Sequence, residues 1–205
     1  MLFAREGWPF IITPIAIGVL LLFIGRGTGL LSAGWVLVVL GLFCLFFFRD
    51  PQRVVPVDAN LILSPCDGKV MEVTEENGKK VVRVFLSVFN VHLQRSPVEG
   101  VVKSVEYRPG KFLPAMNKEA HVVNEQNVIT LQTPQGEYVV YQIAGILARR
   151  VVSWVKPGDS VAQGQRIGLI KFGSQVDLVL PAATEIRVRV GEKVVGGISV
   201  VGAKK

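Results

Sequence analysis

The bond between Gly173 and Ser174 is the feature of this sequence with the clearest chemical potential. The pair interrupts an apolar stretch with β-strand alternation, where a glycine usually marks a bulge or a close backbone approach. A serine hydroxyl here can attack the preceding carbonyl carbon, so that the amide becomes an ester, and β-elimination then cuts the chain. The resulting dehydroalanine hydrolyses to a pyruvoyl group, an electron sink that condenses with amines. The structural alternative is a glycine bulge followed by a solvent-facing serine.

Two histidines are candidates for proton transfer. His92 ends an apolar segment and precedes a Pro/Gly turn, a place where rigid scaffolds commonly present catalytic groups. His121 lies in a polar stretch, and we interpret it as a surface residue. Asp67, in a Pro-x-Asp-Gly turn, either caps its own backbone or orients His92. In the second interpretation, His92 deprotonates Ser174 within a nucleophile–base–orienter triad.

The two cysteines, Cys44 and Cys66, are poor disulfide partners, because one lies in an apolar run and the other in the polar part of the chain. This usage agrees with a reducing compartment. Cys66 paired with His92 is an alternative nucleophile, although no cysteine-peptidase signature surrounds it. We predict no metal site.

The elements that must position these groups begin with two apolar runs, Phe10–Gly25 and Gly29–Phe48. The second run can span a bilayer, which takes roughly 20 helical residues, whereas the first contains Pro14 and is marginal. Neither run has a polar face, which disfavours buried core helices, and no signal-peptide cleavage pattern follows. We therefore predict a membrane-anchoring helical hairpin over residues 1–50.

Arginines flank these runs, with Arg5 before the first, Arg49 and Arg53 after the second, and Arg26 alone between them. By the positive-inside rule both ends are cytoplasmic, so we predict a cell-membrane protein whose polar domain lies on the cytoplasmic side. The net charge is +7. A positive charge of this size favours attraction to anionic lipid headgroups. The lysines and arginines are scattered singly along the sequence, so we predict no nucleic-acid partner.

Residues 51–205 predict one β-rich domain. Valine alternates with charge in Glu185–Val190, the period of two that is typical of half-buried antiparallel strands. The segment Val155–Gly168 resembles the hairpins of biotinyl/lipoyl-type barrel-sandwich domains, but the lysine motif of a carrier domain is missing. The predicted fold class is mainly β, a single domain with barrel-sandwich-like hairpin elements behind the helical membrane hairpin.

Taken together, the segments resemble the phosphatidylserine decarboxylases, in their short bacterial and archaeal branch. The shared pieces run in that family's order through most of the chain and are Phe47–Arg53, Ser64–Gly68, Val91-His92, Arg95–Pro97, Asn124–Asn127 and Gly173–Val176. Gly-Ser with a valine shortly after it is the specific signature, and the other pieces are weak singly.

This resemblance implies self-cleavage between Gly173 and Ser174 into a larger membrane-bound chain, 1–173, and a smaller pyruvoyl chain, 174–205. The two products would form a heterodimer, and further homo-oligomerisation is left open. The amine of phosphatidylserine would form a Schiff base with the pyruvoyl ketone, and loss of CO₂ would lead to phosphatidylethanolamine. His92 would donate a proton to the carbanion.

One position departs from the family. Longer members carry two histidines three residues apart in this segment, and the second is the usual triad partner of the serine. Here the second position is Arg95. Either His92 serves both self-cleavage and decarboxylation, or Arg95 has a different role, such as binding the carboxylate or phosphate of the substrate with its planar fork.

A non-catalytic alternative is a membrane-anchored barrel-sandwich adaptor of a transport or secretion assembly. It accounts for the hairpin but leaves Ser174, His92 and Asp67 unexplained, and the coiled-coil heptads of such adaptors are missing. The apolar, turn-containing segment Phe112–Met116 either dips into a lipid interface or is an ordinary buried loop.

Overall fold

The computed structural model describes residues 3–25, 29–56, 58–114, 117, 119–145 and 150–204. The chain divides into two compact units, Met1–Gln52 and Arg53–Lys205. The first unit is helical and the second is mainly β.

The first unit is a hairpin of two apolar helices. After the short 3₁₀ helix Arg5–Gly7, α1 spans Trp8–Ile24 and includes Pro14, and α2 spans Leu30–Phe47. Both helices are long and apolar enough to cross a membrane, by length and composition alone. The predicted helical hairpin is confirmed, and its association with a membrane is weakly supported.

Glycines allow the two helices of the hairpin to approach closely. A Cβ on Gly18 would lie 2.8 Å from the carbonyl oxygen of Gly34, and a Cβ on Gly34 would lie 2.9 Å from that of Gly18. Small residues at such contacts are how apolar helices gain van der Waals packing where lipid offers no hydrophobic driving force. The side chains that face away from this contact are large, apolar and exposed, as at Phe23 and Trp35.

The second unit contains one short helix, α3 (Ala120–Val123), among its described residues. The strands are β1 Leu61–Leu63, β2 Gly68–Glu76, β3 Lys79–Leu86, β4 Leu93–Arg95, β5 Gly100–Arg108, β6 Gln126–Thr133, β7 Gly136–Ala144, β8 Arg150–Ser153, β9 Ser160–Val161, β10 Arg166–Lys171, β11 Ser174–Leu180, β12 Glu185–Ile186, β13 Lys193–Val194 and β14 Val200–Ala203. This strand content confirms the mainly β prediction.

An eight-stranded antiparallel sheet forms the frame, in the order β13-β2-β3-β11-β7-β6-β5-β9. Two three-stranded sheets accompany it, in the orders β4-β10-β8 and β1-β14-β12. The inward positions of β11, which alternate along the strand, pack into the hydrophobic core through Val176, Leu178 and Leu180. Ser174 shares this inward face, because side chains two positions apart lie on the same side of a strand.

Replacing Gly18 with leucine tests the packing of the hairpin. We expect Gly18→Leu to lower the midpoint of helix loss on heating in detergent, because its Cβ would lie 2.8 Å from a backbone oxygen and overpacking costs about 1–3 kcal/mol. Helix propensity acts in the opposite direction, since leucine is favoured over glycine by up to about 1 kcal/mol. The measurement is circular dichroism at the helical band.

Gly29→Leu is the control, because no atom of the described residues lies within 4 Å of a Cβ at Gly29. The same change there should lower the midpoint less than Gly18→Leu does, because it overpacks no described neighbour and costs only the preference for glycine over leucine at the N-cap of α2. Equal midpoints for the two variants would contradict close packing of the helices at Gly18.

Candidate active site

Ser174 begins β11 in the middle of the large sheet. It lies opposite Leu86 of β3 and Ala144 of β7, and its side chain is fully buried. The Ser174 hydroxyl has no hydrogen-bond partner among the residues that the structure describes. A buried hydroxyl of this kind costs about 1–3 kcal/mol and requires an explanation. The alternative of a solvent-facing serine is therefore wrong.

The backbone before Ser174 is strained. Phe172 has φ +66° and Gly173 has φ +37°, so two consecutive residues connect β10 to β11 in the left-handed region. A non-glycine residue rarely adopts this conformation, and it costs of order 1–3 kcal/mol. Among the described residues, a Cβ on Gly173 would meet only Val88, at 3.9 Å. Glycine therefore suits position 173 because the backbone has a positive φ there, and not because a larger side chain would clash.

His92 lies on the segment that pairs with the strand before this turn. The backbone N–H of Ile170, four residues before Ser174, donates to the carbonyl oxygen of His92 over 3.1 Å. The imidazole is fully buried, and its Nδ1 lies 3.0 Å from the carbonyl oxygen of Asn90. Because a carbonyl can only accept, this contact places the proton of the neutral ring on Nδ1 and the basic lone pair on Nε2.

A chain of buried amides leads from the large sheet to His92. Asn127 donates to Gln142 over 2.7 Å, Gln142 donates to Gln94 over 2.7 Å, and Gln94 donates to the carbonyl oxygen of His92 over 2.9 Å. All four residues are buried. Satisfied polar networks of this kind rigidify a core because any break leaves an unpaired buried group.

Gln142 brings this amide chain close to the serine. It lies opposite Val176 on β11, two positions along β7 from Ala144, the partner of Ser174. Diagonal neighbours of this type are about 7–8 Å apart on one face of a sheet. The sequence reasoning missed Gln94 and Gln142, for which the available signal was polar residues at inward positions of apolar strands.

Asp67 has other partners than the predicted one. Its two carboxylate oxygens accept from the Arg53 guanidinium over 2.6 and 2.9 Å, and one of them also accepts from the backbone N–H of Gly196 over 2.9 Å. The planar fork of arginine matches both carboxylate oxygens, which makes this pairing strong. Among the described residues Asp67 forms no hydrogen bond with His92, whose Nδ1 faces Asn90 instead.

Arg95 is the last residue of β4 and is buried beside the start of β10. Its Cα lies opposite Arg166, and its Nη1 donates to the carbonyl oxygen of Gly164 over 3.0 Å. Arg95 lies three positions after His92, which is roughly 10 Å along an extended chain. The described contacts of Arg95 are with its own domain, and its predicted role in substrate binding stays a prediction.

Cys66 does not have the properties of a nucleophile. It is fully buried, and burial, reinforced by the charges of Asp67 and Asp177, raises the pKa of its thiol well above the ordinary value. The reactive form of cysteine is the thiolate, which this environment suppresses. Within the described part of the chain, no group of histidine, cysteine and acidic residues could hold a metal ion.

A buried serine behind a strained turn, with a buried histidine bonded to the strand that precedes this turn, defines a candidate self-processing enzyme of mainly β fold. The family model for phosphatidylserine decarboxylase matches residues 40–202. The chain is 46% identical to the phosphatidylserine decarboxylase proenzyme of Symbiobacterium thermophilum, over 97% of this chain and 94% of that protein. This chain belongs to the phosphatidylserine decarboxylase family, as the sequence resemblance predicted.

Other relatives agree in length and name. Phosphatidylserine decarboxylase proenzyme of Carboxydothermus hydrogenoformans is 44% identical over 98% of this chain and 96% of that protein. The proenzyme of Burkholderia mallei is 46% identical over 93% of this chain and 90% of that protein. None of these comparisons supports the adaptor alternative.

Replacing Gln142 with leucine tests the amide chain. The variant leaves the side-chain oxygen of Gln94 and the amide of Asn127 buried without the partners that they have here. Each such loss costs about 1–3 kcal/mol, so we expect Gln142→Leu to lower the free energy of unfolding by at least about 2 kcal/mol. Urea unfolding of the detergent-solubilised protein measures this free energy of unfolding.

Gln132→Leu is the control, because Gln132 is exposed on the neighbouring strand β6. A surface substitution of this kind is expected to stay within about 0.5 kcal/mol of the original stability. If Gln142→Leu were no more destabilising than Gln132→Leu, the amide chain would not contribute to the stability of the site.

Proposed function

We propose that this chain is a proenzyme that decarboxylates phosphatidylserine to phosphatidylethanolamine with a pyruvoyl group made from Ser174. The activity follows from the family, since relatives named as this proenzyme cover over nine-tenths of the chain. The structural observation that supports the site is the buried Ser174 hydroxyl, unpartnered among the described residues, behind the strained Phe172-Gly173 turn.

The surroundings of residue 174 fit a pyruvoyl group. A carbonyl there would replace a hydroxyl for which the described residues provide no partner, and pairing with Leu86 and Ala144 fixes the backbone position. Such a group supplies the electron-withdrawing carbonyl that the loss of CO₂ requires. The chain would thereby carry its own cofactor.

Self-cleavage converts the Gly173-Ser174 amide in three steps. The Ser174 oxygen bonds to the Gly173 carbonyl carbon and the Ser174 nitrogen leaves it, which gives an ester and a free amine. Loss of the Ser174 α-proton then expels the Gly173 carboxylate and leaves a dehydroalanine, and addition of water with release of ammonia gives the ketone. Relief of the backbone strain at Phe172 favours the first step.

His92 acts as the base and later as the acid. With the proton on Nδ1 held toward Asn90, Nε2 takes the hydroxyl proton of Ser174, and in the mature enzyme it returns a proton to the substrate carbon that has lost CO₂. The buried side chain of Gln94 holds the backbone of His92 through its hydrogen bond to the His92 carbonyl oxygen. Asp67 orients His92 only after a rearrangement, because Arg53 occupies its carboxylate.

The products would remain together at the membrane. Residues 1–173 would keep the anchoring hairpin, residues 1–50, and 174–205 would remain bound as the central strand and the segments after it. The catalytic domain, residues 51–205, would lie on the cytoplasmic side, where the predicted flanking arginines place it.

Replacing Ser174 with alanine should abolish self-cleavage. The wild-type protein should separate in denaturing electrophoresis into fragments 1–173 and 174–205, with the smaller one blocked to Edman sequencing by its keto group. Ser174→Ala removes the attacking oxygen and should leave one uncut chain with no decarboxylase activity. Intact-mass spectrometry identifies the fragments.

Ser104→Ala is the control, since Ser104 is an exposed serine on β5, and this variant should cleave as the wild type does. A wild-type chain that stays whole, or a small fragment with an ordinary amino terminus, would refute the pyruvoyl proposal. The non-catalytic alternative predicts the whole chain.

His92→Ala compared with His121→Ala tests the assignment of the base. General acid–base catalysis contributes about 10²–10⁴-fold in rate, so we expect His92→Ala to slow self-cleavage at least about 100-fold in a pulse-chase measurement. His121→Ala, which removes the other histidine of the sequence, should cleave and decarboxylate normally. Normal cleavage of His92→Ala would show that another group activates Ser174.

A further inference from the structure

We propose that Phe89, Phe112, Lys111 and Arg150 form a rim around the Ser174 site that contacts the lipid surface holding the substrate. We call these four residues the aromatic-basic rim. The inference rests on the proposed function, because it concerns how the same site reaches its substrate. It adds a contact surface on the β unit that the membrane hairpin does not provide.

Phe89 lies on the loop that follows the β3 neighbour of Ser174. Leu86, opposite Ser174, ends β3, and a tight turn follows in which Asn90 accepts from the backbone N–H and the hydroxyl of Ser87. A side-chain carbon of Val88, at the tip, lies 3.9 Å from the position that a Cβ on Gly173 would take. Phe89, the next residue of this turn, is 67% exposed.

Phe112 lies on a loop tied to the β7 neighbour of Ser174. The side chain of Asn124 donates both to the carbonyl oxygen of Leu113 over 2.9 Å and to that of Ala144 over 2.7 Å. Ala144 is the residue opposite Ser174. Phe112, beside Leu113, is 38% exposed, so the alternative of an ordinary buried loop does not describe it. Ala115 and Met116 of the predicted interfacial segment lie outside the described residues.

Two exposed cations accompany the aromatic residues. Lys111 directly precedes Phe112, and its backbone bonds with Val123 and Glu125 fix the start of that loop. Arg150 lies opposite Lys171, three positions before Ser174. Among the described residues of the nearby loop the acids are Glu119, which is exposed, and Glu125, which is buried.

A lipid surface is the partner that this combination fits. Single exposed apolar residues are ordinary, but here two aromatic residues flank one buried serine, each on a loop tied to one of its neighbouring strands. Aromatic residues with nearby cations match the interface between acyl chains and anionic headgroups. A diacyl substrate resides in such an interface and must present its headgroup to Ser174.

Fluorescence in proteoliposomes tests the contact directly. An environment-sensitive dye is attached to Phe89→Cys or Phe112→Cys in a full-length chain whose Cys44 and Cys66 are replaced by alanine. We expect blue-shifted emission and quenching by lipids brominated on their acyl chains. Val101→Cys is the control, because Val101 is 45% exposed but lies at the start of β5. It is roughly 23 Å along the strand from Arg108, the end of β5 that leads to Lys111 and Phe112.

Equal quenching at all three positions, or no quenching at Phe89 and Phe112, would overturn the proposal. A dye at Phe89 that is shifted in colour but not quenched by brominated lipid would identify a protein partner or a second copy, and would also refute the lipid contact. This measurement needs no catalytic turnover, so its result is independent of the proposed function.

Turnover provides the second test. For the double variant Phe89→Ser with Phe112→Ser, we expect the ratio of vesicle turnover to turnover of a short-chain, monomeric phosphatidylserine to fall about tenfold. Self-cleavage should proceed, and Val101→Ser should keep the wild-type ratio. An unchanged ratio in the double variant would refute the rim, whereas a wild-type protein without turnover on either substrate would refute the proposed function instead.

Discussion

The pairing of β11 along both of its edges is the constraint on which the rest of this structure depends. The strand is hydrogen-bonded to β3 from Ser174 to Leu180 and to β7 from Ser174 to Val179. This pairing fixes the position of Ser174 in the sheet, although the preceding turn is strained. It also explains how a chain cut before Ser174 could remain assembled, because its new terminus is the head of a central strand and not of an edge strand.

Charges on the outer face strengthen the same pairing. Arg83 of β3 lies opposite Asp177 of β11, and its guanidinium contacts Asp177, Glu72 and Glu76. Burial raises the pKa of the Asp177 carboxyl, and the Arg83 charge opposes that shift. Removing Arg83 would leave the buried Asp177 carboxylate without its cation, which is costly whatever the net contribution of the pair to stability, whereas Arg83 without Asp177 would still contact Glu72 and Glu76. The inner face of β11 thus carries the candidate chemistry and the outer face an ion pair between the prospective fragments.

The sequence was sufficient for the elements and singled out Ser174 as a candidate, but it did not predict the contacts around Ser174. Apolar runs and period-two valines are local signals, and they predicted the helical hairpin and the β domain correctly. The amide chain joins Gln94 to Gln142, 48 residues apart, and only strand pairing brings them together. The sequence analysis paired Asp67 with His92 and missed Arg53. An arginine binds the carboxylate more strongly than an imidazole does, because its planar fork contacts both carboxylate oxygens. The positive φ of Phe172 has no local signal in the sequence, because a phenylalanine rarely adopts a left-handed backbone conformation.

Strand geometry bears on the question that Arg95 raises. Residues three apart on an extended segment point to opposite faces, because side chains alternate with a period of two. His92 and Gln94 therefore share one face, on which Gln94 reaches Gln142, whereas Arg95 lies on the other face and reaches Gly164. In this structure Arg95 does not share the face of His92 and Gln94, and its guanidinium donates to the carbonyl oxygen of Gly164, which holds β4 near that residue. The proposal that His92 alone serves both self-cleavage and decarboxylation agrees with this separation of the two side chains, and the role of Arg95 in substrate binding stays a prediction.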